Sequence, residues 1–286
     1  MAPADAQMLE ALQRTAFDYF LKQTQARNGL VADTSRPGAP ASIAVVGFAL
    51  STYPVAVERG WIERDDAVQR CLTTLRFFMG SDQSGTTAST GCHGFYFHFL
   101  AVDTGMRAWE SELSSIDSAL LIVGALTAAA YFSGTSAAET ELRQLANALY
   151  DRVDWNWAEH DDDAVALGWK PECGFLHYGW QGYNEALVLY ALGMGSSTHP
   201  LTLASFDAWT VTYQWENLYG IDLLLRPALI SSQRPSLSEC EQGGVFHGNL
   251  SGTRTQGNAG RRGAQWVLRT PRTTPPVVRT GGVYGR

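Results

Sequence analysis

The stretch from Ala119 to Phe132 is almost wholly apolar, 14 residues with Gly124 and Thr127 inside it. A bilayer span needs about 20 such residues, so this run reads as a helix buried within protein on every side. A chain with such a helix must surround it, and the first 225 residues read as one helix after another. Met8 to Arg27 places Leu9, Leu12, Ala16, Phe17, Phe20 and Leu21 on a helical stripe. Ser42 to Val57 is a second helix, expected to be interrupted near Tyr53-Pro54, where proline lacks an amide. Asp65 to Met79 is a third. Ser114 with Asp117, and Ser136 with Glu139, form capping boxes that open helices reaching Phe132 and Val153. Asn184 to Met194 and Leu203 to Glu216 complete the series.

Between these helices lie glycine- and aromatic-rich segments. Phe95-Tyr96-Phe97-His98-Phe99-Leu100 predicts a short aromatic strand or hairpin near 94–100. Residues 155–182 are irregular, polar and aromatic, and a connection of that length inside a compact domain is usually functional. The pattern predicts an all-α fold, a toroid or bundle with little strand.

The composition changes at Arg226. Residues 226–286 hold nine Arg, no Lys, no Asp and two Glu, a net charge of +7, against −14 for residues 1–225. Ten glycines, five prolines and no helical stripe leave this tail little apolar surface to offset its ordering entropy. It is expected to be disordered or translated out of frame, with a basic arm for an anionic partner as the functional alternative. The domain division is therefore 1–225 and 226–286.

The whole chain carries a charge of −7, which argues against nucleic acid as a partner. Cys71, Cys92, Cys173 and Cys240 are widely spaced, with no CxxC pair, so neither zinc ligation nor a disulfide framework is implied. His93 and His98 have no third partner, so no metal and no cofactor are expected. No basic and apolar leader precedes Met8. The chain as written is expected in the cytoplasm, or in the periplasm or medium if its true N-terminus lies elsewhere.

Several segments occur in an order that resembles a known family. They are Thr15–Phe20, Pro40–Phe48, Glu58–Ile62, Thr73–Phe78, Gly94–Leu100, Glu112–Leu121, Gly168–Pro171, Tyr183–Ala186, Gly195–Pro200 and Trp209–Trp215. Together they cover about residues 10–220 and are similar to the glycoamylase-like domain of glycoside hydrolase family 144 and of cyclic β-1,2-glucan synthases. The resemblance implies an (α/α)6 barrel, here incomplete, from a bacterial hydrolase that cleaves β-1,2-glucan with inversion. The alternative is a truncated or frameshifted remnant that binds glucan without cleaving it.

Cleaving a glycosidic bond takes a proton donor for the leaving oxygen and a second carboxylate. Glu185 is the candidate acid, because Trp180, Tyr183 and Ala186 beside it offer a desolvating environment. A plain structural role is the alternative, since a carboxylate in a helix's first turn is favoured anyway. The resemblance places Asp117 and Glu112 facing the cavity, although Asp117 is equally explained as a capping residue. Trp109, Lys170, His177, Tyr178, Trp180, Tyr183 and Trp209 are candidate sugar-binding residues; helical spacing also suits Trp209 to the core. The partner expected is an oligo- or polysaccharide.

Overall fold

The computed structural model describes residues 3–159 and 163–225. The expected tail and the domain division at 225/226 lie at or outside the edge of the described residues.

The elements in chain order are α1 (Pro3–Gln23), β1 (Ala41–Ser42), α2 (Ile43–Glu58), α3 (Arg64–Gly80), β2 (Gly91–Cys92), β3 (Phe95–Phe97), β4 (Phe99–Leu100) and β5 (Leu113–Ser114). There follow α4 (Ser115–Tyr131), α5 (Ala137–Asp151), β6 (Gly168–Lys170), β7 (Gly174–Phe175), α6 (Leu187–Gly195), α7 (Leu203–Thr210), β8 (Gln214–Leu218) and β9 (Ile221–Leu225). The fold is thus mostly helical, and the all-α expectation is corrected by the strands.

The helices divide by sequence into two kinds. α2, α4 and α6 carry hardly any charge, and they pack in succession, α2 on α4 and α4 on α6. α3 and α5 carry charge on one side and pack on each other, with α5 also covering α4. The contact between α2 and α4 is very close. A side chain on Gly47 would strike the backbone of Leu120 and Leu121, and one on Gly124 would strike the backbone of Gly47. Two glycines facing each other let the helix backbones meet, and Val46, Leu50, Leu121, Ile122 and Ala125 close the core around them.

The N-cap half of each expected capping box is present, while the acidic side chains take other donors, Asp117 the Ser114 hydroxyl and Glu139 the Gly134 amide. Ser114 Oγ accepts from Asp117 N at 3.2 Å and Ser136 Oγ from Glu139 N at 3.2 Å. α2 runs unbroken through Pro54. The missing amide removes one rung, and burial of Leu50, Tyr53 and Ala56 around it outweighs the loss.

The strands cluster at the N-terminal ends of the apolar helices. β1 pairs antiparallel with β4, and a five-stranded antiparallel sheet runs β2-β3-β5-β6-β7. The aromatic strand expected near 94–100 is present as β3 and β4. The segment 155–182 contributes β6 and β7, so Leu113 faces Trp169 and Ser114 faces Gly168. Strands of two or three residues are too short to show an alternating pattern, which is why the sequence reads there as loop. The last helix also ends earlier than expected, at Thr210 rather than Glu216. β8 and β9 form a hairpin around Tyr219-Gly220, both with positive φ (58° and 77°), the conformation of a tight two-residue turn. Cys71 and Cys92 are free thiols.

Candidate active site

The chemistry gathers where β3–β5 meet the N-termini of α2 and α4. His98, between β3 and β4, is held by its own backbone: its amide donates to Glu112 O at 2.9 Å, and its carbonyl accepts from Ile43 N at 3.2 Å. That second bond satisfies an otherwise free amide of α2's first turn, because Ser42 makes no side-chain cap. The ring stacks on Phe99, centroids 4.0 Å apart and 12° from parallel. Its Nδ1 lies 2.9 Å from Glu112 Oε1 and its Nε2 3.5 Å from Asp117 Oδ2. Asp117 is fixed in turn by Ser114, whose hydroxyl donates to Oδ2 at 2.5 Å.

The electrostatics follow from this packing. Burial raises the Asp117 carboxyl above the usual aspartate range. His98 and the Ser114 hydroxyl pull it down, Glu112 and Glu185 push it further up, and the balance stays upward. Burial pushes Glu112 up too, but the hydrogen bond and charge of His98, with Lys170 beyond, bring it below its ordinary value. For His98, burial lowers and the two carboxylates raise, and the carboxylates prevail. Two neighbouring carboxyls are thereby pushed in opposite directions, the arrangement that separates acid from base in catalytic pairs.

Around this centre stand several of the sequence candidates. Trp109 is 70 % exposed, rests on Phe99 (centroids 5.2 Å apart) and has φ of 57°; Glu110 follows at 53°. Two successive non-glycine residues in the left-handed region are strained, and their surroundings must hold them. Arg107 does so. Its guanidinium is buried over the Phe97 ring and donates to Ser111 O (2.6 Å), Glu110 O (2.8 Å) and both oxygens of Glu172 (2.6 and 3.1 Å). Arg107→Ala leaves those carbonyls without a donor and is expected to cost about 2–4 kcal/mol in a denaturant melt. Arg107→Lys should restore little, because an ammonium cannot reproduce the planar fork.

Trp180 Nε1 donates to Ser115 Oγ at 2.9 Å, and Ser115 Oγ donates to Ala166 O at 2.7 Å, which ties segment 155–182 to the first residue of α4. Lys170 ends β6, where its charge reaches Glu112. His177, Tyr178 and Tyr183 are exposed. Glu185 departs from expectation: it is exposed and lies in the turn before α6 rather than inside the helix, so Trp180, Tyr183 and Ala186 do not bury it. Trp209 is 1 % exposed and stacks on Tyr190, so it is a core residue and not a sugar platform. Its Nε1 donates to Asn184 Oδ1 at 3.3 Å, which also accepts from Ala186 N at 3.0 Å, and so Trp209 holds the turn that carries Glu185. The sequence weighed His98 only as a metal ligand and missed its place between the carboxylates. The available signal was a lone imidazole in a run of aromatics.

The site thus joins two partly buried carboxylates to exposed aromatic faces at the helix N-termini. Residues 177–238 match the family Glycoamylase, described as "Putative glucoamylase", and the match continues past the composition break at Arg226. An exo β-1,2-glucooligosaccharide sophorohydrolase from Parabacteroides distasonis is 26 % identical over 229 residues, covering 76 % of this chain and 30 % of that protein. A structure from Bacteroides uniformis with the same glucoamylase description superposes with a TM-score of 0.70 at 25 % identity, over 80 % of this chain and 56 % of that one. The endo-β-1,2-glucanase of Chitinophaga pinensis, in complex with sophorotriose and glucose, gives 0.68 at 21 % identity, over 79 % and 56 %. The chain is similar to glycoamylase-like proteins over these stretches, and it spans about a third to a half of the length of these relatives. Among the described residues no helix is long and apolar enough to cross a membrane.

Proposed function

We propose that the chain is a glycoside hydrolase domain for β-1,2-linked glucans, with its helices arranged as part of an (α/α)6 toroid. The succession of α2, α4 and α6, with charged α3 and α5 outside them, supports that arrangement. The observation that carries the activity is the Glu112–Asp117 pair on either side of His98, with Asp117 raised chiefly by burial, Glu112 lowered chiefly by His98, and exposed Trp109 beside them. The β-1,2 linkage rests on the sophorohydrolase and the endo-glucanase.

In this reading Glu185 is the general acid of an inverting hydrolysis. It stands exposed beside Tyr183, where a bound sugar would cover it. Glu112, just before β5, and Asp117, in the first turn of α4, face the same ligand. Trp109, Trp180, Tyr178, Tyr183, His177 and Lys170 offer flat faces and donors for the sugar rings.

Binding is tested by calorimetric titration of short linear β-1,2-glucooligosaccharides. The expected result is saturable binding, weakened about tenfold or more by Trp109→Ala, which removes an exposed stacking face. Absence of binding, or unchanged affinity in Trp109→Ala, contradicts the assignment of this face.

A further inference from the structure

His98 has more order imposed on it than a core histidine needs. Both its backbone groups are bonded, its ring lies flat on Phe99, and each nitrogen faces a different carboxylate. We propose that His98 is a positioning residue for the acidic pair, an imidazolium clamp that keeps Glu112 ionised and governs the proton on Asp117. The proposal rests on the reading of that pair as part of a glucan-cleaving site.

The argument is one of donors and acceptors. A neutral imidazole has one N–H and one lone pair, whereas an imidazolium has two N–H groups. With Glu112 ionised at Nδ1, a neutral ring donates there and turns a lone pair toward Asp117. That state is tolerable only when Asp117 carries a proton. A charged ring serves both carboxylates. His98 Nε2 and Asp117 Oδ2, 3.5 Å apart, stand at ion-pair distance, so the proton carried by one or the other titrates as a property of the pair. Ser114, donating to the same Oδ2, fixes which oxygen faces the ring.

The charged groups around the clamp are Glu112 from the segment before β5, Asp117 from α4 and Asp33 from the segment after α1. Lys170 from β6 acts through Glu112, and Glu185 from the turn before α6 acts through Asp117. The first turn of α2 carries no acidic residue. His98 is raised above 6.5, so its contribution is complete below 6.5 and is lost as pH rises through its folded value. Glu112 is lowered below 4.5, so its contribution is present above 4.5 and is lost as pH falls through its folded value. The contributions of Glu112 and His98 are both present between 4.5 and 6.5.

The test is an NMR titration of the imidazole signals in the full chain, with His98 assigned by its disappearance in His98→Gln. Should that variant not fold, His98 is assigned by its contact with the Phe99 ring. The expected midpoint lies above 6.5 and falls in both Glu112→Gln and Asp117→Asn. A midpoint at or below 6.5, or one unmoved by either substitution, overturns the clamp. This result stands whether or not turnover is seen, so failure of the hydrolase reading is distinguishable from failure of the clamp. With turnover, His98→Gln should lower kcat about tenfold or more with little change in KM, and should displace the alkaline limb of the pH profile. A uniform loss at every pH with the limb in place would mark a merely structural role and contradict the proposal.

Discussion

Gly124→Val is expected to unfold the domain or to lower its stability by about 4 kcal/mol or more, measured by urea denaturation. The reason is geometric. The atom a side chain would strike is not the far end of a flexible neighbour but the backbone of Gly47 on the facing helix. Relief requires the helices to part, and parting them opens the contact that buries Val46, Leu50, Leu121 and Ile122 together. Gly47→Val should behave alike, because its obstacle is the backbone of Leu120 and Leu121. At Gly60, where nothing lies within reach of a side chain, substitution meets only the strain of a positive φ (64°), a cost of about 1–2 kcal/mol. The contrast separates close packing from the general cost of replacing a glycine.

Glu185→Gln is expected to lower glucan hydrolysis by about 10²–10⁴-fold with folding intact, the contribution typical of a general acid. Gln keeps the shape of the side chain and cannot donate the proton to the leaving oxygen. The turn that presents it is built by Asn184 and Trp209, and neither depends on the carboxylate. A melting temperature equal to that of the wild type, with activity lost, is the pattern that assigns the effect to chemistry. Trp209→Phe makes the complementary case. It removes the bond to Asn184 while keeping most of the packing, and should lower activity less than Glu185→Gln does.

What the sequence revealed was local or regularly periodic. Both N-caps lie within four residues of chain, so they are legible and present in the structure. The buried character of α4 follows from its lack of charge over four turns. The motifs around Glu112–Asp117 and Asn184–Glu185 carried the family resemblance, and so these candidates were on view. What stayed hidden was non-local. β5 pairs with β6 across more than fifty residues, and the strands are too short to alternate visibly. Arg107 meets Glu172 across 65 residues, and nothing near either one announces the other. His98 becomes notable only when Asp117, nineteen positions on, folds back against it. Pro54 shows the opposite failure. A strong local rule predicted a break, and burial along the helix outweighed it.

The most direct test of the central claim is release of reducing sugar from linear β-1,2-glucan by the wild-type chain, with β-1,4-glucan as control and Glu185→Gln beside it. The account predicts release from the β-1,2-linked polymer, little from the β-1,4-linked one, and near-complete loss in Glu185→Gln. No release from β-1,2-glucan by the folded wild type, or equal release by Glu185→Gln, would contradict it.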